Sequence, residues 1–321
     1  MIYGVNDESY RYTLIPVLVR PTQMKYKKII YVKDGTLLVF GGFQPFHLAH
    51  TLINSLIPIE NTLQKIPKQY SNVHIANVVT LERELEKAAK YGFPIDVMKF
   101  EKLFTAKHYE AGSKYPLHPL PIYDSLTFKE IEDITYCYPL GVFGLNKVCA
   151  QCPEVPKFEV YESLRQKVLK YYKIEDKIIP KRVLIIQRKE TRKLVNIMSI
   201  IEAVKEYSKD YKIVFLEKLT FREQIRLFVE SPVIIAPHGN GNAHIHWMKK
   251  GGLFLEGLGI RRYGENFYKS ICEQKGIEYH VLPCYSRECH ESKYPQYDDV
   301  YMDPEAVRKY LEDFAKKLFV S

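Results

Sequence analysis

The segment Val233-Ile-Ile-Ala-Pro-His-Gly-Asn-Gly-Asn242 decides how the second half of the chain is interpreted. Its first four residues form a short apolar, β-branched run, which is typical of a buried strand. The turn Pro237–Asn242 follows and contains two glycines, and we predict a helix from there to about Lys250. The turn therefore lies at the carboxyl end of its strand. Open parallel α/β sheets bind their ligands at that edge, so we expect a binding site there.

Strands and helices alternate on both sides of this segment. Thr220 and Glu223 have the spacing of a capping box, which predicts a helix that begins after Thr220. Regular alternation predicts an α/β fold with a parallel, doubly wound sheet. The other predicted elements are the strands Arg182–Arg188, Lys212–Leu216, Leu253–Glu256 and Tyr279–Leu282, and the helices Leu194–Tyr207, Asn266–Lys275 and Pro304 to about Leu318.

The glycine-containing turn has the composition of a phosphate-binding site. Gly239 and Gly241 allow the backbone to approach an anion closely, and the amide groups that open the next helix attract negative charge. Asn240 and Asn242 belong to the same turn, and His238 could donate a further hydrogen bond. The alternative is a tight strand-to-helix turn that binds no ligand.

Two arginines and a glutamate are predicted at the same edge of the sheet. Arg188 ends the strand that begins at Arg182, and Arg192 lies in the next turn. Guanidinium groups bind phosphate bidentately and remain charged. Glu256 ends another strand, where a carboxylate can accept hydrogen bonds from ribose hydroxyls. The alternatives are solvated arginines and a glutamate that caps a helix or forms an ion pair.

The N-terminal half has a less regular pattern. It predicts a strand at Thr36–Phe40, a turn at Gly41–Pro45 and a helix from His50 to about Gln64. A strongly charged helix is predicted at Leu81–Tyr91. Residues 107–121 are rich in glycine and proline, and they predict a long loop.

The predicted boundary between two lobes follows a helix at Tyr161–Tyr172. We assign residues 1–173 to an N-terminal lobe and residues 174–300 to a C-terminal lobe, which contains the predicted phosphate-binding turn. Residues 301–321 contain the last helix, which could pack back on the N-terminal lobe.

Charge and hydropathy argue against a nucleic-acid partner and against a membrane-spanning segment. The formal net charge is +9, but the lysines are scattered, so a nucleic-acid partner is not favoured. A positive cleft would suit a diphosphate. No apolar run reaches the ~18–20 residues that span a bilayer, and the N-terminus lacks the pattern of a signal peptide. We expect a soluble chain, and hydropathy leaves its compartment open.

The six cysteines leave two interpretations open. Cys149 and Cys152 have the spacing of a zinc half-site or a redox pair, and Cys284 and Cys289, followed by His290, could supply the other half. The two pairs lie far apart in the sequence, so we favour free thiols or disulfides and predict no metal site.

Four segments resemble, in order, the catalytic domain of glycosyltransferase family 61. The family pattern is Arg, Arg and Asn, then Phe-x-x-Gln, then a strand with a His-Gly turn, then an apolar strand that ends in Glu. The position after Asn196 is Ile197, where the family usually has Glu. The matching segments are Arg188…Arg192…Asn196, Leu219–Gln224, Ile235–Asn242 and Phe254–Glu256.

This resemblance implies a fold and a reaction. The fold would be GT-B, in which two Rossmann-like lobes face each other across a cleft. The reaction would be transfer with inversion from a UDP-sugar donor to a hydroxyl of a glycan or glycoprotein, without an essential metal. N-acetylglucosamine and xylose are the sugars that the family suggests.

The N-terminal half resembles one member of the same family at residues 43–67 and 144–147. The resemblance implies that Lys147 approaches the donor, while His47 and His50 face it across the cleft. An inverting transfer needs a base that takes the proton of the acceptor hydroxyl. Four residues after His50 the family usually has a carboxylate, but the residue here is Asn54, which cannot be that base. We therefore expect His50 or His47 to act instead.

Two other functions remain open. The segment GGFQPFHLAH at residues 41–50 resembles the nucleotidyltransferase signature, in which two histidines contact the α-phosphate of a nucleoside triphosphate. The second glycine of that signature is Ala49 here. The second possibility, which Asn54 permits, is a catalytically inactive binding protein that retains the glycosyltransferase fold.

Overall fold

The computed structural model of this 321-residue chain describes residues 28–40, 49, 52–77, 134–143, 157–259, 268–284 and 297–318. The chain divides into two compact units, residues 1–156 and residues 157–321. Each unit contains parallel β-structure. Within the described ranges, no helix is both long enough and apolar enough to cross a membrane.

The first unit contains two groups of parallel strands. β1 (Lys28–Tyr31) pairs with a strand at Ile134–Cys137, which we call β4. β2 (Gly35–Phe40) lies between β3 (Asn72–Asn77) and β5 (Leu140–Phe143). The predicted strand Thr36–Phe40 is therefore confirmed as part of β2.

In the described residues, the helix predicted from His50 includes a π-helical turn, Leu52–Leu56. It continues as α1 (Ile57–Leu63), and a short 3₁₀ turn, Lys68–Tyr70, follows. The predicted helix Leu81–Tyr91 and the predicted loop at residues 107–121 lie outside the described residues.

The second unit alternates strands and helices as predicted. Its strands are β6 (Val183–Ile186), β7 (Tyr211–Val214), β8 (Val233–Pro237), β9 (Leu253–Leu258) and β10 (Glu278–Pro283). Its helices are α2 (Phe158–Tyr172), α3 (Ile197–Tyr207), α4 (Phe221–Glu230), α5 (Lys269–Lys275) and α6 (Pro304–Leu318), with 3₁₀ segments at Leu216–Lys218 and Asn240–Trp247.

The sheet of the second unit is parallel, with the strand order β7-β6-β8-β9-β10. The chain first adds β7 on one side of β6 and then adds the later strands on the other side. Val183, Ile185 and Val233 pack with α3 and α6 on one face of the sheet. Leu184 and Ile234 point to the opposite face and are equally buried, so both faces are covered. This arrangement confirms the predicted doubly wound α/β fold.

The last helix completes the core of the second unit. Val307, Leu311 and Phe314 of α6 belong to the same hydrophobic cluster as the sheet residues. At the surface, Arg308 Nε lies 2.7 Å from Glu206 Oε2 on α3. The buried apolar side of this helix belongs to the core of its own unit, and the suggested packing on the N-terminal lobe stays a prediction.

The helix α2 also belongs to the second unit. Arg165 is only 1% exposed, and its Nε donates to the carbonyl oxygen of Trp247 at 2.9 Å. Its guanidinium group also pairs with Asp176 and Glu162. The second unit therefore begins ahead of α2, whereas the predicted boundary lies after residue 173. The contact that decides this joins residues 82 positions apart, so the local pattern could not reveal it.

Candidate functional site

The candidate site lies where the order of the second sheet reverses. β6 and β8 are neighbours, with Val183 opposite Val233, while β7 lies beyond β6 and β9 beyond β8. The chain carries Arg188 just after β6 and His238 just after β8. Doubly wound sheets bind ligands in the crevice that opens at such a switch point. The topology therefore brings the predicted arginine turn and the predicted glycine turn to one edge.

The arginine turn is held closed by the side chain of Gln187. Gln187 Oε1 accepts hydrogen bonds from the backbone amides of Arg188, at 2.8 Å, and Leu194, at 2.9 Å. Its Nε2 donates to the Leu194 carbonyl oxygen at 3.0 Å. Arg188 Nε donates to the carbonyl oxygen of Thr191 at 2.9 Å within the turn. These bonds fix the guanidinium group of Arg188 before any ligand arrives.

Arg192 occupies an unusual backbone position in the same turn. Its φ of 57° lies in the left-handed region, which costs a residue with a side chain roughly 1 kcal/mol. Local strain of this kind is common at functional sites. Nearby, burial lowers the pKa of Arg188 below the usual value of a guanidinium group, although such a group remains charged. The turn thus presents two positive charges to the switch point.

The two glycines make room for protein side chains. A Cβ on Gly239 would lie 2.6 Å from Arg188 Nη1 and 3.6 Å from Arg192 Nη1. The φ of Gly239 is 170°, an extended value that any residue adopts, so space is what requires glycine here. A Cβ on Gly241 would lie 2.5 Å from Leu216 Cδ1. Each glycine therefore has a steric reason of its own, and the close approach of an anion to this turn stays a prediction.

Glu256 lies beneath the site. It is fully buried, and its Oε1 is 2.8 Å from Nδ1 of His238, while its Oε2 accepts from the Tyr279 hydroxyl at 2.5 Å. A carboxylate without exposed surface cannot reach a ribose hydroxyl. The predicted ribose contact is therefore corrected, and the carboxylate instead orients His238, whose side chain is 12% exposed.

The side chain of Asn242 forms hydrogen bonds within the protein. Its Nδ2 donates to the Pro237 carbonyl oxygen at 3.1 Å and to Glu256 Oε1 at 2.9 Å, and the residue is 2% exposed. Its side chain is therefore used within the protein, and a contact of Asn242 with the donor stays a prediction. Asn240 and Gly241 are only partly buried and remain at the site.

The helix predicted to run from the turn to about Lys250 is a 3₁₀ helix, Asn240–Trp247, which begins within the turn. Its position is fixed by His244, which is fully buried. His244 Nδ1 accepts from Trp247 Nε1 at 3.0 Å, and its Nε2 lies 2.7 Å from Gln224 Oε1. Gln224 in turn donates to the carbonyl oxygens of Leu216 and Leu219. The histidine is thereby held as the tautomer with a proton on Nε2.

Several predicted site residues lie outside the described residues, namely His47, His50 and Lys147. Asn54 belongs by its backbone to the π-helical turn Leu52–Leu56, and its side chain is not among the described ones. The GGFQPFHLAH segment is described only at Ala49, which is buried.

The cysteines are described in part. Cys272 is a buried free thiol, and Cys284 is disulfide-bonded. A disulfide at Cys284 is not compatible with the same sulfur serving as a zinc ligand in the suggested second half-site. Among the residues that the structure describes, no group of three or more His, Cys, Asp or Glu side chains is arranged to hold a metal ion.

Three residues that position the site were not found in the sequence. Gln187 carried a weak signal, because it is the polar residue that follows an apolar strand. Tyr279 and Tyr268 carried none. The Tyr268 hydroxyl donates to the Gly239 carbonyl oxygen at 2.7 Å across 29 positions of sequence, and periodicity does not predict a contact of that kind.

Part of the chain matches a known protein family. Residues 146–255 match the model of the family Glycosyltransferase 61, and this segment includes both arginines and the whole glycine turn. The comparison with curated proteins gives no match to the chain. The family match confirms the predicted enzyme class, a glycosyltransferase, and it supports the predicted family.

Proposed function

Taking as premise that residues 146–255 carry a glycosyltransferase 61 domain, we propose that this chain transfers a sugar, with inversion at the anomeric carbon, from a UDP-sugar to a hydroxyl of a glycan or glycoprotein. N-acetylglucosamine and xylose are the proposed sugars. One observation carries the proposal: Arg188 and Arg192 both point their guanidinium groups at Gly239, beside His238, at the switch point of the sheet.

The donor diphosphate is proposed to lie against these charged groups. Guanidinium groups match the geometry of phosphate oxygens and bind them through charge-assisted hydrogen bonds. The same groups stabilise the negative charge that grows on the leaving diphosphate as the bond to the sugar breaks. With two guanidinium groups present, the proposal needs no essential metal. The backbone around Asn240 and Gly241 would complete the donor site.

The acceptor half of the proposal rests on the sequence. In a GT-B arrangement the two lobes face each other, Lys147 approaches the donor, and His50 or His47 takes the proton of the acceptor hydroxyl. Asn54 stands where a carboxylate is usual, so a histidine is proposed as the base. Residues 43–67 resemble protein O-mannose β-1,4-N-acetylglucosaminyltransferase, which supports a glycan or glycoprotein acceptor.

Binding measurements with Arg188→Ala test the donor site. Loss of charged hydrogen bonds worth about 1.5–3 kcal/mol should weaken UDP binding about tenfold to a hundredfold. The matched control is Arg226→Ala on α4, because the Arg226 side chain is 48% exposed and pairs with Glu230 at 3.3 Å. Isothermal titration calorimetry measures both affinities. Equal UDP affinity in wild type and Arg188→Ala would show that the donor binds elsewhere.

A transfer assay tests the reaction itself. The full chain is incubated with labelled UDP-N-acetylglucosamine or UDP-xylose, and labelled acceptor and labelled free sugar are both measured. UDP binding without transfer or hydrolysis would indicate the inactive binding protein. Release of pyrophosphate from ATP would indicate the nucleotidyltransferase instead.

A further inference from the structure

Residues 215–219, which we call the β7 loop, form one side of the switch point. β7 pairs with β6, with Val214 opposite Ile186, and the Gln187 amide donates to the Val214 carbonyl oxygen at 2.8 Å. Parallel strands end at the same edge of a sheet, so the arginine turn and the β7 loop leave that edge side by side. Leu216 packs against the glycine turn, because a Cβ on Gly241 would lie 2.5 Å from Leu216 Cδ1. The β7 loop therefore borders the candidate donor site.

The β7 loop is held on both sides of Glu217. Gln224 Nε2 on α4 donates to the carbonyl oxygens of Leu216, at 2.8 Å, and Leu219, at 3.0 Å. Gln224 Oε1 lies 2.7 Å from Nε2 of His244, which belongs to the 3₁₀ segment that begins in the glycine turn. One side-chain amide thus ties the β7 loop to the glycine turn. The backbone that carries Glu217 then needs little reordering when a ligand binds.

The carboxylate of Glu217 is available at this edge. Its side chain is exposed, and it forms no hydrogen bond or ion pair with the residues that the structure describes. The adjacent cation, Lys218, has its Nζ 4.8 Å from the centre of the Phe215 ring. Burial lowers the pKa of Arg188, and the Glu217 carboxylate acts on that pKa in the opposite direction. Glu217 is therefore near enough to Arg188 to influence its charge without being paired to it.

A carboxylate beside a phosphate-binding arginine has a definite effect on which ligands bind. By itself it disfavours a diphosphate, because like charges repel. It favours a ligand that also presents hydroxyl groups beside its phosphates, because a carboxylate accepts hydrogen bonds. A nucleoside diphosphate has this arrangement, since its ribose is bonded to the first phosphate. In dinucleotide-binding folds, an acidic residue that follows the phosphate turn in sequence holds a ribose hydroxyl, and Glu217 follows the arginine turn in the same way.

We propose that Glu217 accepts hydrogen bonds from the ribose hydroxyls of the donor nucleotide and so selects a ribonucleotide over a deoxyribonucleotide. This inference rests on the donor site proposed above. It moves the ribose contact that the sequence suggested for Glu256, whose carboxylate is fully buried, to an exposed carboxylate at the same edge of the sheet. Gln224 is then a positioning residue, because it acts on the ribose only through the β7 loop.

Calorimetry with two ligands tests this proposal on the full chain. The wild type should bind UDP about tenfold to a hundredfold more tightly than dideoxy-UDP, whose ribose lacks both hydroxyls, because hydrogen bonds to a charged acceptor are lost. Equal affinity of the wild type for the two ligands would overturn the inference and leave the donor site in place. Absence of UDP binding to the wild type would overturn the proposed function together with the inference.

Two variants assign the preference to its residue. Glu217→Ala should bind UDP and dideoxy-UDP with equal affinity. The control is Glu202→Ala on α3, which removes the same charge from a side chain that is 61% exposed and pairs with Lys205 at 2.8 Å. It should keep the wild-type preference for UDP. A preference that persists in Glu217→Ala, or that the control loses as well, would refute the assignment. If Glu217→Ala does not fold, Glu217→Gln, which removes the charge and keeps the shape, must lower the preference for the proposal to stand.

Discussion

Lys275 gives the clearest quantitative prediction for the stability of the second unit. It is the last residue of α5 and is fully buried, and its Nζ has no hydrogen-bond partner among the described residues. Burial lowers its pKa from 10.5 to about 8, and the positive charge of Arg165 adds to this effect. The folded chain therefore resists protonation of a side chain that protonates readily when the chain is unfolded.

The pKa difference sets the size of the effect. At about 1.4 kcal/mol per pH unit, the difference between 10.5 and about 8 costs about 3 kcal/mol wherever Lys275 is charged in both states. The folded pKa is the lower one, so the cost is fully present below pH 8. It is relieved as the pH rises towards 10.5, because the folded chain then binds fewer protons than the unfolded chain. Lys275→Met keeps an apolar side chain of similar length and should stabilise the second unit by about 3 kcal/mol at pH 7 and about 1 kcal/mol at pH 10.

Urea denaturation followed by tryptophan fluorescence measures this difference. The chain contains one tryptophan, Trp247, which is buried in the second unit, so the signal reports the unfolding of that unit. The control is Lys269→Met on the same helix, because the Lys269 side chain is 54% exposed. Stabilisation by Lys275→Met that is no greater than that of the control, or that is the same at pH 7 and pH 10, would refute the reasoning.

Two further predictions concern buried histidines and the glycine turn. Burial lowers the pKa of His244 and of His246 from 6.5 to about 3. The folded unit therefore loses stability as the pH falls from 6.5 towards 3, because the unfolded chain then binds protons that the folded chain does not. Together the two histidines should lower the free energy of unfolding by about 4 kcal/mol between pH 7 and pH 5. His246→Phe should halve that loss in urea denaturation, and an unchanged loss would exclude His246 as a source. Gly239→Ala would place a Cβ 2.6 Å from Arg188 Nη1 and displace the guanidinium group. UDP affinity should therefore fall about tenfold or more, while the fluorescence of Trp247 stays native. Unchanged affinity would mean that UDP binding does not depend on the position of that guanidinium group.

The elements of the second unit could be predicted because their signals are local. Val183–Ile186 and Val233–Pro237 are apolar, β-branched runs, and both are buried strands. Thr220 accepts from the Glu223 amide while the Glu223 side chain accepts from the Thr220 amide, as the capping-box spacing predicts. Alternation along the chain then left a parallel, doubly wound sheet as the expected arrangement.

The parts of the site that could not be predicted depend on contacts between distant residues. Glu256 was interpreted from its place at a strand end, but Tyr279, 23 positions later, and His238, 18 positions earlier, occupy its oxygens. The spacing that suggested a helix after Asn242 did not distinguish a 3₁₀ segment. The hydrogen bond of His244 to Gln224 on α4 holds that segment, and no pattern near His244 reveals it.

The candidate site has two layers: the groups proposed to meet the donor, and below them Gln187 and Glu256, which hold those groups in place. The groups proposed to meet the donor, Arg188, Arg192 and His238, all stand at the carboxyl edge of the sheet, and each would lose conformational freedom on binding unless it were already held. Gln187 and Glu256 supply much of that restraint from below, through hydrogen bonds to Arg188 and Leu194 in one case and to His238 in the other. A preorganised set of charges needs little rearrangement when negative charge grows on a leaving group. Substitution of Gln187 or Glu256 should therefore lower turnover more than it lowers donor affinity, whereas Arg188→Ala lowers both.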